Sequence, residues 1–249
     1  MSPGTTFDPY EVMPFHGYIE QETGRQARYP SLAHFIHSER FRGVDEHYRT
    51  YLLRLEDAEL FRLEVDGIGQ VGGDSQDWSR RKGRLLYAGI FMQAVAHRDR
   101  YSQLLSHGAR LSVASGSYSD DLARAMGDFI SDVSTPQEKL KVAFAGSCVD
   151  QGYADGCLKI IFANRLPQCL FAIEHDACAQ VISDYARETA TAFILLDSSL
   201  TEDALAENIG RRSTHIFRFV GGDDDCLSAR ILAIAEQSGA TVSPILPKP

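Results

Sequence analysis

A chain of 249 residues, 44% hydrophobic and 24% charged, has the make-up of a globular protein that buries a substantial core without staples. Its formal net charge of −9 argues against a general affinity for nucleic-acid backbone, which needs clustered Lys and Arg, but leaves room for a local basic pocket. No apolar run approaches the ~20 residues that a membrane-spanning helix requires.

The first 28 residues read as irregular chain or short strand, because Pro3, Pro9 and Pro14 interrupt any helix. Residues 15–19 form a candidate strand and Glu22-Thr23-Gly24-Arg25 a turn. A helix is expected over 30–41. Pro30 suits its first turn, and Leu32, Phe35 and Ile36 give it a core-facing stripe. His34, Ser38 and Phe41 fall on a neighbouring face, with His37 near them. Residues 45–63 are expected to be helical again, from the spacing of Tyr48, Tyr51, Leu52, Leu55 and Ala58. The glycine-rich tract from Gly67 to Asp74 fits neither G-x-G-x-x-G nor a P-loop and reads as a loop between helices. A helix follows over 77–96, with Asp77 as its cap and Leu85, Ala88 and Met92 on one face. Trp78, the only tryptophan, reads as an anchor for the start of that helix or as a stacking surface. A short helix over 99–107, a strand within 109–114 and a helix over 120–133 complete this part.

Ser134-Thr135-Pro136-Gln137-Glu138 marks a boundary, since a proline among polar residues follows a long helix. Domains are therefore expected at 1–134 and 135–249. Beyond the boundary, apolar strands at 140–146, 191–197 and 215–221 and apolar runs at 157–164 and 168–173 alternate with helices at 177–187, 200–209 and 227–237. Ser199, with Glu202 three residues on, reads as a capping box for the helix at 200–209. The fold class expected is α+β: a mainly helical first domain, then a small α/β domain with a mostly parallel sheet. The strand ends Gly146-Ser147, Asp197-Ser198-Ser199 and Gly221-Gly222-Asp223 stand where such sheets bind ligands. Turns and caps use the same residue types, and that plainer reading is the commoner one.

Cys148, Cys157, Cys169, Cys178 and Cys226 contain no C-x-x-C spacing, which argues against structural zinc. An odd count and an N-terminus without a basic, then apolar, leader lead us to expect reduced thiols in a cytoplasmic protein. No cofactor and no metal are expected; His34 and His37 lack a third ligand at a recognisable spacing. The most basic runs, Arg80-Arg81-Lys82 with Arg84 and the set Arg40, Arg42 and Arg49, read first as solvated helix faces.

The tract Tyr29-Pro30-Ser31-Leu32-Ala33-His34-Phe35-Ile36-His37-Ser38-Glu39-Arg40-Phe41 resembles a motif of the NADAR superfamily. That motif runs tryptophan or tyrosine, proline, threonine or serine, any residue, glutamate, histidine, and closes with glutamine and lysine near the helix end. Asp77-Trp78, followed by Arg81, Leu85, Ala88 and Met92, is similar to the family's second helix, and His97 to Leu105 to its continuation. The resemblance covers roughly residues 12–130. Its members include N-glycosidases of riboflavin-pathway intermediates and hydrolases that remove ADP-ribose from modified nucleobases. The chain departs from the motif at Ala33, where the family has its glutamate, and at the closing element, where Asp120 and Asp121 before Ala125-Met126-Gly127 stand nearest.

What the resemblance implies is an N-glycosidase-like hydrolase acting on a phosphorylated ribosyl compound. Such cleavage requires stabilisation of the leaving nitrogen and a carboxylate against the growing positive charge on ribose. Catalytic candidates are Glu39, as a displaced carboxylate, with Asp77, His34 and Asp120. Substrate-binding candidates are Trp78, Arg40, Arg81, His37 and Tyr29, the arginines for a phosphate. Ala33 raises the alternative of a catalytically inactive module that binds the same kind of ligand and acts through the α/β half. The expected partner in either case is a small ribosyl or nucleotide ligand.

Overall fold

The computed structural model describes residues 6–67, 78–107, 112–114, 118–134, 139–146, 150–174, 176–219 and 226–245. The chain divides into two compact units, residues 1–17 with 26–134 and residues 18–25 with 135–249. One is largely helical and the other is α/β, so the α+β class expected from the sequence is what the chain adopts.

In the first unit, β1 (Thr6–Phe7) pairs in parallel with β4 (Ser112–Val113). β2 (Phe15–Ile19) and β3 (Gln26–Tyr29) make a two-stranded sheet whose connecting end belongs to the second unit. Among the described residues six helices follow: α1 (Leu32–Phe41), α2 (Glu46–Arg54), α3 (Ala58–Gly67), α4 (Trp78–Ala96), α5 (Arg98–His107) and α6 (Ser119–Ser134). Of α1's residues only Arg40 escapes burial, so the apolar stripe understates this helix, which is a core element on every side. Pro30 stands outside it. Ser31 is the N-cap, its hydroxyl accepting from the His34 N–H at 3.3 Å. α1 packs on α2 and α4, and α4 on α6. The α1–α4 approach is close enough that a Cβ on Gly89 would lie 2.5 Å from Leu32 and 2.7 Å from Phe35.

The helix expected over 45–63 is two helices. The Leu55 N–H turns back to the Leu52 carbonyl, and Asp57 Oδ1 accepts from the N–H groups of Glu59 and Leu60, starting α3 afresh. A capping aspartate overrides a helical period that would run through it. Asp77 and the glycine tract beyond Gly67 lie outside the described residues.

The second unit runs β5 (Lys141–Ala145), α7 (Gln151–Ile161), β6 (Cys169–Ile173), α8 (Ala179–Glu188), β7 (Ala192–Leu196), α9 (Glu202–Arg212), β8 (His215–Phe219), α10 (Cys226–Gln237) and β9 (Thr241–Ile245). The strands form one parallel sheet in the order β7-β6-β5-β8-β9, with Val142 opposite Leu170 on one side and Ala143 opposite Ile216 on the other. β5, β6 and β7 are almost wholly buried, as strands covered on both faces must be. α7 packs with α8 and α9 with α10, and right-handed crossovers put the two pairs on opposite faces.

Three local readings change. Most of the apolar run 157–164 is the end of α7, which stops at Ile161 and which Asp150 caps by accepting from the Tyr153 N–H at 2.9 Å. α9 is capped by Thr201, whose hydroxyl accepts from Ala204, because Asp197 draws the Ser199 N–H into a turn. β9 carries no strong strand signal, and Pro244 within it is tolerated because β9 is the sheet's edge.

Candidate functional site

Helix α1 presents two sides with different chemistry. On one side Glu39, 1% exposed, accepts from Arg42 through both carboxylate oxygens, at 2.8 and 2.7 Å, and from the Tyr29 hydroxyl at 2.8 Å. Burial pushes this carboxyl up. The charge and hydrogen bonds of Arg42, with Arg49 and Tyr29, outweigh burial and hold it below its ordinary value. Burial and the adjacent Glu39 in turn keep the Tyr29 phenol well above its own. Glu39 and Arg42 thus form a buried ion pair to which the neutral Tyr29 phenol donates.

His34 is equally engaged. Its Nε2 faces the Leu55 carbonyl at 2.8 Å and its Nδ1 the Ser31 hydroxyl at 2.8 Å. A carbonyl only accepts, so the proton sits on Nε2 and Ser31 donates to Nδ1. The ring stacks on Phe61 with centroids 3.7 Å apart, and burial lowers its pKa, partly offset by the bond to Leu55.

The other side of α1 faces a pocket. Leu32, Ala33, Ile36 and His37 form its floor, Tyr10 and Pro9 one wall, and Leu86, Ala114, Tyr118, Ser119 and Leu122 the other. Its free space is about 30 Å³, enough for about two waters, so a ribosyl phosphate enters only by displacing lining side chains. His37, 2% exposed, has its pKa lowered to about 3, by burial first and then by the charges of Arg40 and His34. It is a neutral imidazole at pH 7. Its Nδ1 is buried without a hydrogen-bond partner among the described residues. The Tyr118 ring lies 5.2 Å from it. Behind Tyr118 the Arg40 guanidinium sits 5.9 Å from the Trp78 ring and 3.5 Å from the Tyr118 hydroxyl, and the Trp78 ring is 6.2 Å from Tyr118.

The candidates therefore separate. His37 lines the pocket, and Arg40 and Trp78 stand behind its wall. His34, Glu39 and Tyr29 are engaged in the core. Arg81 is half-buried one turn after Trp78, outside the lining. Asp120 is exposed beside the lining residue Ser119, and its neighbour Asp121 pairs with Lys82. Asp77 lies outside the described residues. No carboxylate lines the pocket among the described residues. Tyr10 and Tyr118 are the lining residues that sequence reading missed. Each lies just outside a periodic segment, and only a tyrosine immediately before a helix start hinted at Tyr118. Burial, ahead of the nearby Asp66, pushes the Tyr10 phenol to about 12.

Among the strand ends of the second unit, Gly146 is described while Ser147 and residues 221–223 lie outside the described residues, and Asp197 is used in its turn.

No family model matches this chain, and no curated protein matches it.

Proposed function

We propose that the first unit is a NADAR-like module that binds a phosphorylated ribosyl compound and lacks a working hydrolytic set. The observation that carries the reading is the pair that α1 turns to the pocket: Ala33, where the resemblance implies a glutamate, and His37, a buried neutral imidazole with an open nitrogen. The first removes the carboxylate that would meet positive charge on ribose. The second leaves a buried polar atom whose lost hydrogen bond, worth about 1–3 kcal/mol, a ligand would supply.

Cleavage of an N-glycosidic bond, by a riboflavin-pathway or ADP-ribosyl-base hydrolase, is the second reading. Arg40 beside Trp78 and Tyr118 favours it, as a cation and aromatic faces suit a phosphate and a base. His37 is unprotonated at neutral pH and serves there as a base or acceptor, not as the acid for the leaving nitrogen.

Incubation of the full chain with ribosylaminopyrimidine phosphates, ADP-ribosyl-guanosine and ADP-ribose separates the two. The module raises its melting temperature with one of them, releases no base, and loses the shift in His37→Phe. A ligand at a hundred times its dissociation constant adds about 2.7 kcal/mol, a readily measured shift. Release of free base by the wild-type chain, detected by mass spectrometry and lost in His37→Phe, would install the hydrolase reading instead. No shift and no release with any of them sinks both.

A further inference from the structure

A cavity larger than the pocket under α1 lies in the α/β unit. Its sheet reverses strand order between β5 and β8, so the connections leaving these two strands go to opposite faces, and a crevice opens at the carboxyl edge. A cavity of about 300 Å³ occupies that place, ten times the free space under α1 and within the range of small-molecule sites. It is bounded by the ends of β5 and β6 and the first turns of α10.

Gly146 shapes the mouth. Its φ is +85°, and a Cβ there would lie 2.6 Å from the Phe219 carbonyl oxygen. Its N–H donates to the Ser228 hydroxyl at 3.0 Å. The chain thus leaves β5 tight against β8 and α10, and no side chain at 146 fills the space.

Two carboxylates stand on the wall. Asp176 is occupied, its Oδ1 accepting from the Cys178 N–H at 2.9 Å. Glu174 is not. It directly follows β6, and its own N–H donates to the Leu196 carbonyl at 2.9 Å, which fixes the backbone. Its half-buried carboxylate has no hydrogen-bond or ion-pair partner among the described residues. The rest of the described wall is largely apolar, with Phe144, Ile173, Leu227 and Ile231, and offers no cation.

A carboxylate can only accept, and with no cation beside it among the described residues this one would repel a phosphate. Two vicinal hydroxyls match its two oxygens, and an apolar wall suits a flat base. In doubly wound sheets an acid after the second strand takes the ribose hydroxyls in this manner. We infer that the α/β unit binds a ribonucleoside-bearing ligand in this crevice, its ribose 2′- and 3′-hydroxyls donating to Glu174 and its base lying on the apolar wall. The site is separate from the pocket under α1 and does not rest on the reading given for it. A phosphate on the 2′-oxygen is disfavoured by the same carboxylate.

Calorimetric titration of the full chain with adenosine, NAD, S-adenosylmethionine and NADP tests this, the first three differing in what the ribonucleoside is attached to. At least one of those three should bind saturably at millimolar concentration or below, and NADP about tenfold or more weaker, a difference of ~1.4 kcal/mol. Glu174→Ala should weaken binding by about tenfold or more, and Ala177→Trp, at an exposed position on the rim, should abolish it by filling the crevice. His37→Phe should leave it unchanged. Circular dichroism of each variant checks the fold, and Ala177→Trp removes no hydrogen bond. The inference is overturned if none of the three binds, if NADP binds as well as they do, if both crevice variants bind like wild type, or if His37→Phe is the variant that loses binding.

Discussion

Glu39 and Glu174 carry the same carboxylate into opposite surroundings. Glu39 is locked by Arg42 and Tyr29 inside the first unit; Glu174 directly follows a strand, its oxygens without a partner among the described residues. The first stabilises and the second is placed to bind. Because the Glu39 carboxyl is held below its ordinary value, its contribution is complete above the unfolded carboxylate pKa, ~4.3, and is lost as pH falls through the folded value. Glu39→Gln should therefore cost about 2 kcal/mol at pH 7, and the gap to wild type should close in acid. Urea unfolding midpoints at neutral and acid pH measure this, and a gap that stays constant would show that the ion pair contributes nothing. His37 acts in the same direction. Its folded pKa of about 3 lies below the ordinary 6.5, so wild type loses stability from about pH 6.5 downward, and His37→Phe should flatten that limb.

At the scale of elements, caps decide boundaries that periodicity leaves open. Ser199 with Glu202 satisfies the capping-box pattern, yet the hydroxyl that accepts at the start of α9 belongs to Thr201. Asp197 has already claimed the Ser199 N–H for a turn. Thr201→Ala should cost about 1 kcal/mol and Ser199→Ala only a few tenths, a difference that thermal melts of the two variants resolve. The reverse order would restore Ser199 as the cap. α9 carries Glu202 and Asp203 in its first turn and Arg211 and Arg212 in its last, each suiting its end of the helix dipole. α1 was legible as a helix but not as a core helix. Its polar residues Ser38 and Glu39 look like a solvated face until their partners at Phe35 and Arg42 are known.

At the scale of the whole molecule, the second unit is not one continuous stretch of chain. Residues 18–25 belong to it: the Tyr18 hydroxyl donates to the Thr191 carbonyl at 3.0 Å, and the Ile19 N–H to the Ser183 hydroxyl at 2.7 Å. Both bonds are buried, and an unmet buried partner costs about 1–3 kcal/mol. A fragment of residues 135–249 should accordingly show faster hydrogen exchange in α8 and β7 than the full chain does. Equal exchange rates would mean that the hairpin end adds no stability to the sheet.

By itself the sequence determined what local physics can express. Apolar runs marked the parallel strands at 141–145, 192–196 and 215–219, and helical spacing marked α4 and α6. Only the tertiary structure decided what depends on partners distant in the chain. It took Glu39 and His34 into the core, left His37 and Ala33 lining a pocket with Tyr10 and Tyr118, and set Glu174 in a crevice that α10 also bounds. A side chain's burial and hydrogen-bond partners are properties of the surrounding elements. Periodicity shows which face a residue shares and cannot show what that face meets.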